Sequence, residues 1–274
     1  GFSGSFDFNS NNAGVSLQAG GEDDLYENGW WDRSVHLDDL MSPEKIAEKA
    51  VDRTTRLLGA RKISTCTAPV VTEPPVTGSL LSFLAGCLSG RAQYLKHSFL
   101  TGKKNTPVAA DCLTIEDNGL LPGKIGSQPF DNEGTACRRT EVITAGVLKN
   151  YLLSTYSARK LGLHTTGHHG GPTNFFLHPG SCPPQDIIAS VDRGLLLTDL
   201  MGQGLDPVTG NISRGAFGLW IEKGEIAFPV AEITVSGNLG TMLREVEMVG
   251  NDLNLRSTCS GPTLKFGEMT ISGS

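Results

Sequence analysis

The sequence predicts an α+β fold, strand-rich, with mostly antiparallel sheets and a few helices. Three observations carry this. Short apolar segments alternate with Gly, Pro and Asn turns through most of the chain. The 34 glycines, against 14 prolines, are spread along its length and are not gathered into a linker. The clearest helical signal, with start and stop residues in place, is confined to 43–58.

Residues 1–12 are Gly, Ser and Asn with interleaved Phe, and read as loop or frayed strand. Val15, Leu17 and Ala19 alternate with Ser16 and Gln18, the period of a half-buried strand. A turn cluster over 20–24 leads to a second short strand around Trp30 and Trp31. Ser42 is a suitable N-cap for the 43–58 helix, and Pro43 suits the first helical position because its missing N–H would be unpaired anyway. Met41 and Ile46 have the spacing of a hydrophobic staple, and Gly59 can supply a left-handed stop. Ile46, Ala50, Val51, Thr54, Leu57 and Leu58 make the predicted buried face.

After Lys62 the texture changes to short strands, predicted at 68–72, 111–115, 138–144, 195–199, 216–222, 225–235 and 263–266. The stretch 218–228 reads as a hairpin with Lys223–Gly224 at its tip. Further helices are predicted at 78–89, 185–191 and 239–249, the last capped by Asn238. The predicted division is 1–62, a remnant of an N-terminal or central region, followed by a β-rich domain over 63–274.

Composition excludes several classes. The chain has 274 residues and a net charge of −6, with no basic block. Nucleic-acid binding needs clustered Lys and Arg to displace counterions, so a nucleic-acid partner is not expected. The six cysteines are scattered with no CxxC pair, the pattern of reduced thiols. No apolar run reaches membrane-spanning length, and neither a membrane partner nor a secretion signal is read. There is no GxSxG elbow, no GxGxxG and no phosphate-binding GxxxxGK[ST] loop.

Several ordered strings carry a resemblance. They are LLSTYSARKLGL around 152–163, TGHHGG at 166–171, LMGQG at 200–204, TGNISRGAFGLWIEKGEI at 209–226, PVAEITVSGNL at 229–239 and GND at 250–252. Together they resemble the TldD/PmbA metalloprotease family, in its PmbA (TldE) branch, over the whole stretch from Gly1 to Ser274. The resemblance implies a C-terminal portion that begins after most of an N-terminal domain. It also implies a cytoplasmic heteromer in which a TldD-like and a TldE-like subunit together hydrolyse small or unstructured peptides.

In the TldD branch an HExxxH helix holds zinc: two imidazoles grip the ion and the Glu takes a proton from its water. Here the corresponding helix is read at 80–88, which sets Ser82, Phe83 and Cys87 at the three motif positions. A hydroxyl is a poor zinc ligand, a phenyl ring is no base, and one thiol alone binds weakly. The segment reads as a packed apolar helix, so no cofactor is expected in this chain and zinc is expected in the TldD-like partner. The family's further cysteine ligand lies upstream of the final strand, and Cys259 sits immediately before that strand, so it is read as a coincidence of composition.

His164, His168 and His169 form the densest imidazole group, but the surrounding glycines and threonines disfavour a helix. A glycine-rich loop with hydrogen-bonded histidines is the plainer reading. His168 falls on the family's TGH string and is a candidate cleft-lining residue. Arg214 is a second candidate, for a peptide carboxylate or an acidic partner surface; alternatively it ties down a loop through Asp206 or Glu222.

The favoured expectation is therefore a non-catalytic subunit of a metallopeptidase complex, which encloses an unstructured peptide while an HExxxH partner does the chemistry. A homodimer of the isolated chain is also open. Two alternatives remain: a binding or scaffold protein without proteolysis, and a self-sufficient metal-dependent hydrolase built on the 164–169 loop.

Overall fold

The computed structural model describes residues 1–21 and 25–273. The chain opens with two nine-residue strands, β1 (Asn11–Ala19) and β2 (Tyr26–Ser34), paired antiparallel with Val15 opposite Trp30. The predicted turn over 20–24 lies largely outside the described residues. Helix α1 (Pro43–Thr55) packs on this hairpin, with Lys49 Nζ 4.5 Å from the centre of the Trp30 ring.

The N-terminal capping of α1 follows the sequence, whereas the helix, predicted to run to Leu58, ends at Thr55 with Arg56 as its C-cap. The Ser42 hydroxyl accepts from the Lys45 amide at 3.4 Å, Pro43 occupies the first turn, and Gly59 stands at φ +71° beyond the end. The buried face is narrower than predicted: Ile46, Ala50, Thr54 and Leu57 are covered, while Val51 and Leu58 are exposed. A two-stranded hairpin is too narrow to cover a wider arc of helix.

β3 (Cys66–Thr72) leads into α2 (Pro74–Leu88) and the short α3 (Gly90–Tyr94). Then come β4 (Ile115–Asn118), β5 (Arg139–Thr144), β6 (Val147–Leu148), α4 (Thr155–Leu161) and β7 (Phe175–Leu177). The chain continues through α5 (Pro184–Ala189), β8 (Arg193–Met201), β9 (Asn211–Glu222) and β10 (Glu225–Asn238). It ends with α6 (Leu239–Arg244), β11 (Val246–Val249), β12 (Cys259–Ser260) and β13 (Leu264–Ser272).

Among the described residues these strands form the hairpin and two larger sheets. The first runs β10-β9-β8-β3-β13, and β13 pairs back onto β10 at Ser272 opposite Thr234, which closes a barrel; β11 hangs from β13. Closure removes the unpaired edges that open sheets must otherwise protect. The second sheet runs β12-β7-β4-β5-β6. Pairing is antiparallel except between β3 and β8 and between β12 and β7, so the α+β, mostly antiparallel reading holds. The β9–β10 hairpin turns at Lys223 (φ 53°) and Gly224 (φ 78°), as predicted.

α2 lies between the two sheets, against β8, β7 and β12. Val76, Leu80, Leu81, Leu84, Ala85 and Leu88 belong to the main core with Phe175 and Phe266. Each large side chain fully buried there contributes about 1.5–3 kcal/mol. Gly78 lets α2 approach β12 closely: a Cβ there would stand 3.0 Å from the Cys259 carbonyl oxygen, a tight contact.

Two predictions fail locally. The 239–249 helix stops at Arg244, and Val246–Val249 becomes a strand because Val246, Met248 and Val249 pair with β13. The predicted 111–115 strand is displaced to Ile115–Asn118, where Glu116 and Asp117 are buried carboxylates that disguise a strand.

Candidate functional site

A groove with a volume of about 770 Å³ opens between the N-terminal hairpin, α2 and the segment 254–261. The hairpin contributes Gly14, Trp30, Trp31 and Asp32; α2 contributes Pro75, Ser79 and Ser82; Arg256 and Cys259 face them. α2 is buried almost all round, and the small side chains of Ser79 and Ser82 on its exposed strip leave the space open.

Buried ion pairs hold the hairpin side of the groove. Arg53 donates to Glu73 at 2.6 Å, to Asp199 at 3.1 Å and to the Thr198 carbonyl at 3.1 Å. Arg56 reaches both Glu73 oxygens, at 2.8 and 2.9 Å. Burial alone would raise the Glu73 carboxyl, but hydrogen bonds and charge from Arg56 and Arg53 hold it below its ordinary value. At the other end Asp32, 2% exposed, accepts from the Met41 amide at 2.6 Å and pairs with Arg256.

Ser82 opens onto the groove, Phe83 packs against the core, and Cys87 is buried within it. Ser82 and Cys87 stand five residues apart, the spacing of the two histidines in HExxxH, but a hydroxyl facing the groove and a thiol enclosed in the core are a poor pair of ligands for one ion. Burial, reinforced by the charge of Asp206, pushes the Cys87 thiol up to about 12. Cys259, distant from this helix in sequence, lies beside Ser82 on the same groove. Burial raises its thiol to about 11, against the Ser82 and Thr258 hydrogen bonds that would lower it. One thiol and one hydroxyl on the groove fall short of the three protein ligands that a catalytic zinc uses. Among the described residues no group of three or more His, Cys, Asp or Glu side chains is placed to hold a metal ion.

His168 lies elsewhere. Its side chain is 2% exposed, with Nε2 2.9 Å from Asp117 Oδ2 and Nδ1 2.9 Å from Thr166 Oγ1. Asp117 also accepts from the Thr173 amide at 2.8 Å and from its hydroxyl at 2.5 Å. The imidazole, a candidate for lining a cleft, is enclosed away from the groove and fastens the glycine-rich loop to β4. His164 and His169 are exposed and do not converge on it. Arg214 is also absent from the groove; its guanidinium donates to the carbonyls of Leu200 at 3.1 Å and Met201 at 3.4 Å. It ties down the end of β8, through backbone oxygens and not through Asp206 or Glu222.

The sequence reading missed Trp30, Trp31, Asp32 and Arg256 as lining. The adjacent tryptophans were a usable signal, because alternation in a strand sends one of them to the face away from α1, where Trp31 is 60% exposed.

A closed barrel, a flanking sheet and an apolar helix beside an open groove make up an α+β domain. The family described as PmbA/TldA metallopeptidase C-terminal domain matches residues 65–273, and the chain belongs to this family. It is 40% identical over 237 residues to metalloprotease PmbA of Escherichia coli O157:H7, covering 86% of this chain and 53% of that one. It is 38% identical over 240 residues to the PmbA homologue of Buchnera aphidicola from Acyrthosiphon pisum, covering 88% and 54%. A crystal structure from Bacteroides thetaiotaomicron, provisionally described as a modulator of DNA gyrase, superposes with a TM-score of 0.88 at 33% identity, over 97% of this chain and 60% of that one. The chain spans about half the length of the curated relatives it matches.

Proposed function

We propose that this chain is the C-terminal part of a TldE-type subunit of a heteromeric metalloprotease, and that it encloses peptide substrate without holding the catalytic zinc. The observation that carries this is the make-up of α2, where Ser82 offers only a hydroxyl to the groove, Phe83 packs into the core in place of a general base and Cys87 is enclosed away from the groove. A TldD-like HExxxH partner supplies zinc, base and activated water. The groove and its hairpin edges supply part of a path for an unstructured peptide, since an extended backbone adds to a strand edge with little demand on sequence.

Residues 1–62 act as a docked remnant of the preceding region, in keeping with a hairpin and α1 that pack mainly on each other and a family match that starts at residue 65. The working compartment on this reading is the cytoplasm. Among the described residues no helix is long and apolar enough to cross a membrane.

Reconstitution tests the proposal. The chain alone, and the chain mixed with a TldD-type HExxxH protein, are assayed on an unstructured peptide. Hydrolysis confined to the mixture, above that of the HExxxH protein alone, is expected. Hydrolysis by this chain alone, abolished by His168→Ala, would favour the self-sufficient hydrolase. No stimulation and no association would favour a scaffold.

A further inference from the structure

A second cavity, with a volume of about 540 Å³, lies away from the groove. It is walled by Lys104, by residues 138–141 at the start of β5, by Asn150, Tyr151 and Leu153, and by the 163–166 loop.

Two of its cations have no carboxylate partner among the described residues. The Lys104 ammonium lies 3.4 Å from Asn150 Oδ1, and the Arg138 guanidinium donates to the Thr165 carbonyl at 3.0 Å. Arg139, the next residue, differs: it is committed to Glu116 at 2.7 Å. Glu141 is the one carboxylate on the wall, so Lys104 and Arg138 leave the lining positive.

The hydroxyls add an independent observation. Thr166 Oγ1 accepts from the Leu153 amide at 2.6 Å and meets His168 Nδ1 at 2.9 Å. The same hydroxyl lies 3.3 Å from the Tyr151 and Leu153 carbonyl oxygens, so its proton has acceptors within the loop. The Tyr151 hydroxyl is likewise spent, on the Leu100 carbonyl at 2.9 Å. Thr140 is the exception: it is 5% exposed, and its buried Oγ1 has no hydrogen-bond partner among the described residues. A buried hydroxyl left unpaired is destabilising, and native folds keep few of them.

We propose that this cavity binds an oxyanion, a carboxylate or phosphate group, held between Lys104 and Arg138 with the Thr140 hydroxyl donating from the wall. Charge-assisted bonds from a guanidinium fork and an ammonium are the strong ones for such groups. The space exceeds what a bare anion fills and is in the range of organic-ligand sites, so the anion is the head of a larger molecule.

Titration calorimetry on the full chain at fixed ionic strength tests this with inorganic phosphate, N-acetyl-dialanine and the amide of that peptide. Saturable binding at one site per chain is expected. It should weaken at least about tenfold in Arg138→Gln and in Lys104→Gln, and several-fold in the isosteric Thr140→Val. Arg139→Gln removes the same charge from a group already paired and should weaken binding much less. Preference for phosphate would identify a phosphorylated ligand, and preference for the peptide acid over its amide a peptide C-terminus. The proposal is overturned if neither probe saturates below about 10 mM, or if the three charge substitutions weaken binding equally, since a diffuse field would then account for it. Circular dichroism on each variant separates loss of binding from loss of fold.

Discussion

Arg53 in α1 and Glu73, the residue that caps α2, meet at 2.6 Å, with side chains only 9% and 17% exposed. Twenty residues apart in sequence, they fasten the helix on the N-terminal hairpin to the helix that floors the groove. Glu73→Gln leaves two guanidiniums without their shared carboxylate, and breaking a buried pair from one side costs about 3 kcal/mol. Urea denaturation should show that loss, and a double-mutant cycle with Arg53→Met should recover part of it.

Acid should act through the same carboxylate. Its folded pKa lies below the ordinary value of 4.5, so its contribution to stability is complete above that value and is lost as pH falls through the folded pKa. Thermal melts at falling pH should show the wild type and Glu73→Gln converging below pH 4.5, with the gap constant near neutrality. A gap that persists undiminished well below that pH would contradict the linkage.

Thiol reactivity should rank by burial. Cys112 is exposed, whereas Cys87 and Cys259 are buried, with thiols pushed up to about 12 and about 11. With iodoacetamide at neutral pH, mass spectrometry should find Cys112 modified first and Cys87 and Cys259 protected until the chain unfolds.

His168→Ala should cost stability and leave peptide turnover by the assembled complex unchanged once the protein is folded. It strips the fully buried Asp117 of one partner while both Thr173 bonds remain, a loss of about 2 kcal/mol by chemical denaturation.

Trp31→Ala should do the reverse. The side chain is 60% exposed beside the groove, so stability should change by no more than about 0.5 kcal/mol. On the proposed reading, turnover of an unstructured peptide by the complex should fall through a raised KM.

Much of the fold was legible where local chemistry and packing agree. Ser42 and Pro43 marked the start of α1, and Lys223–Gly224 marked the β9–β10 turn. Legibility failed where distant strands decide the outcome: nothing near Val246 announces β13 as its partner, and a strand carrying Glu116 and Asp117 hides its buried character until Arg139, His168 and Thr173 are in place around it. For the site, the resemblance set Ser82, Phe83 and Cys87 at the HExxxH positions, and their residue types led to the expectation of a helix without zinc. That Cys259 comes to lie beside Ser82, and that His168 turns inward to Asp117, depends on how the two sheets close around α2, which residue spacing does not encode.

The central claim is that this polypeptide does not hold the metal of its family. Elemental analysis of the purified chain after dialysis against micromolar zinc tests it most directly. The expected result is well under one zinc per chain, unchanged by Cys259→Ser, with stoichiometric zinc appearing only when an HExxxH partner is bound. One tightly held zinc per isolated chain, lost on Cys259→Ser, would contradict it.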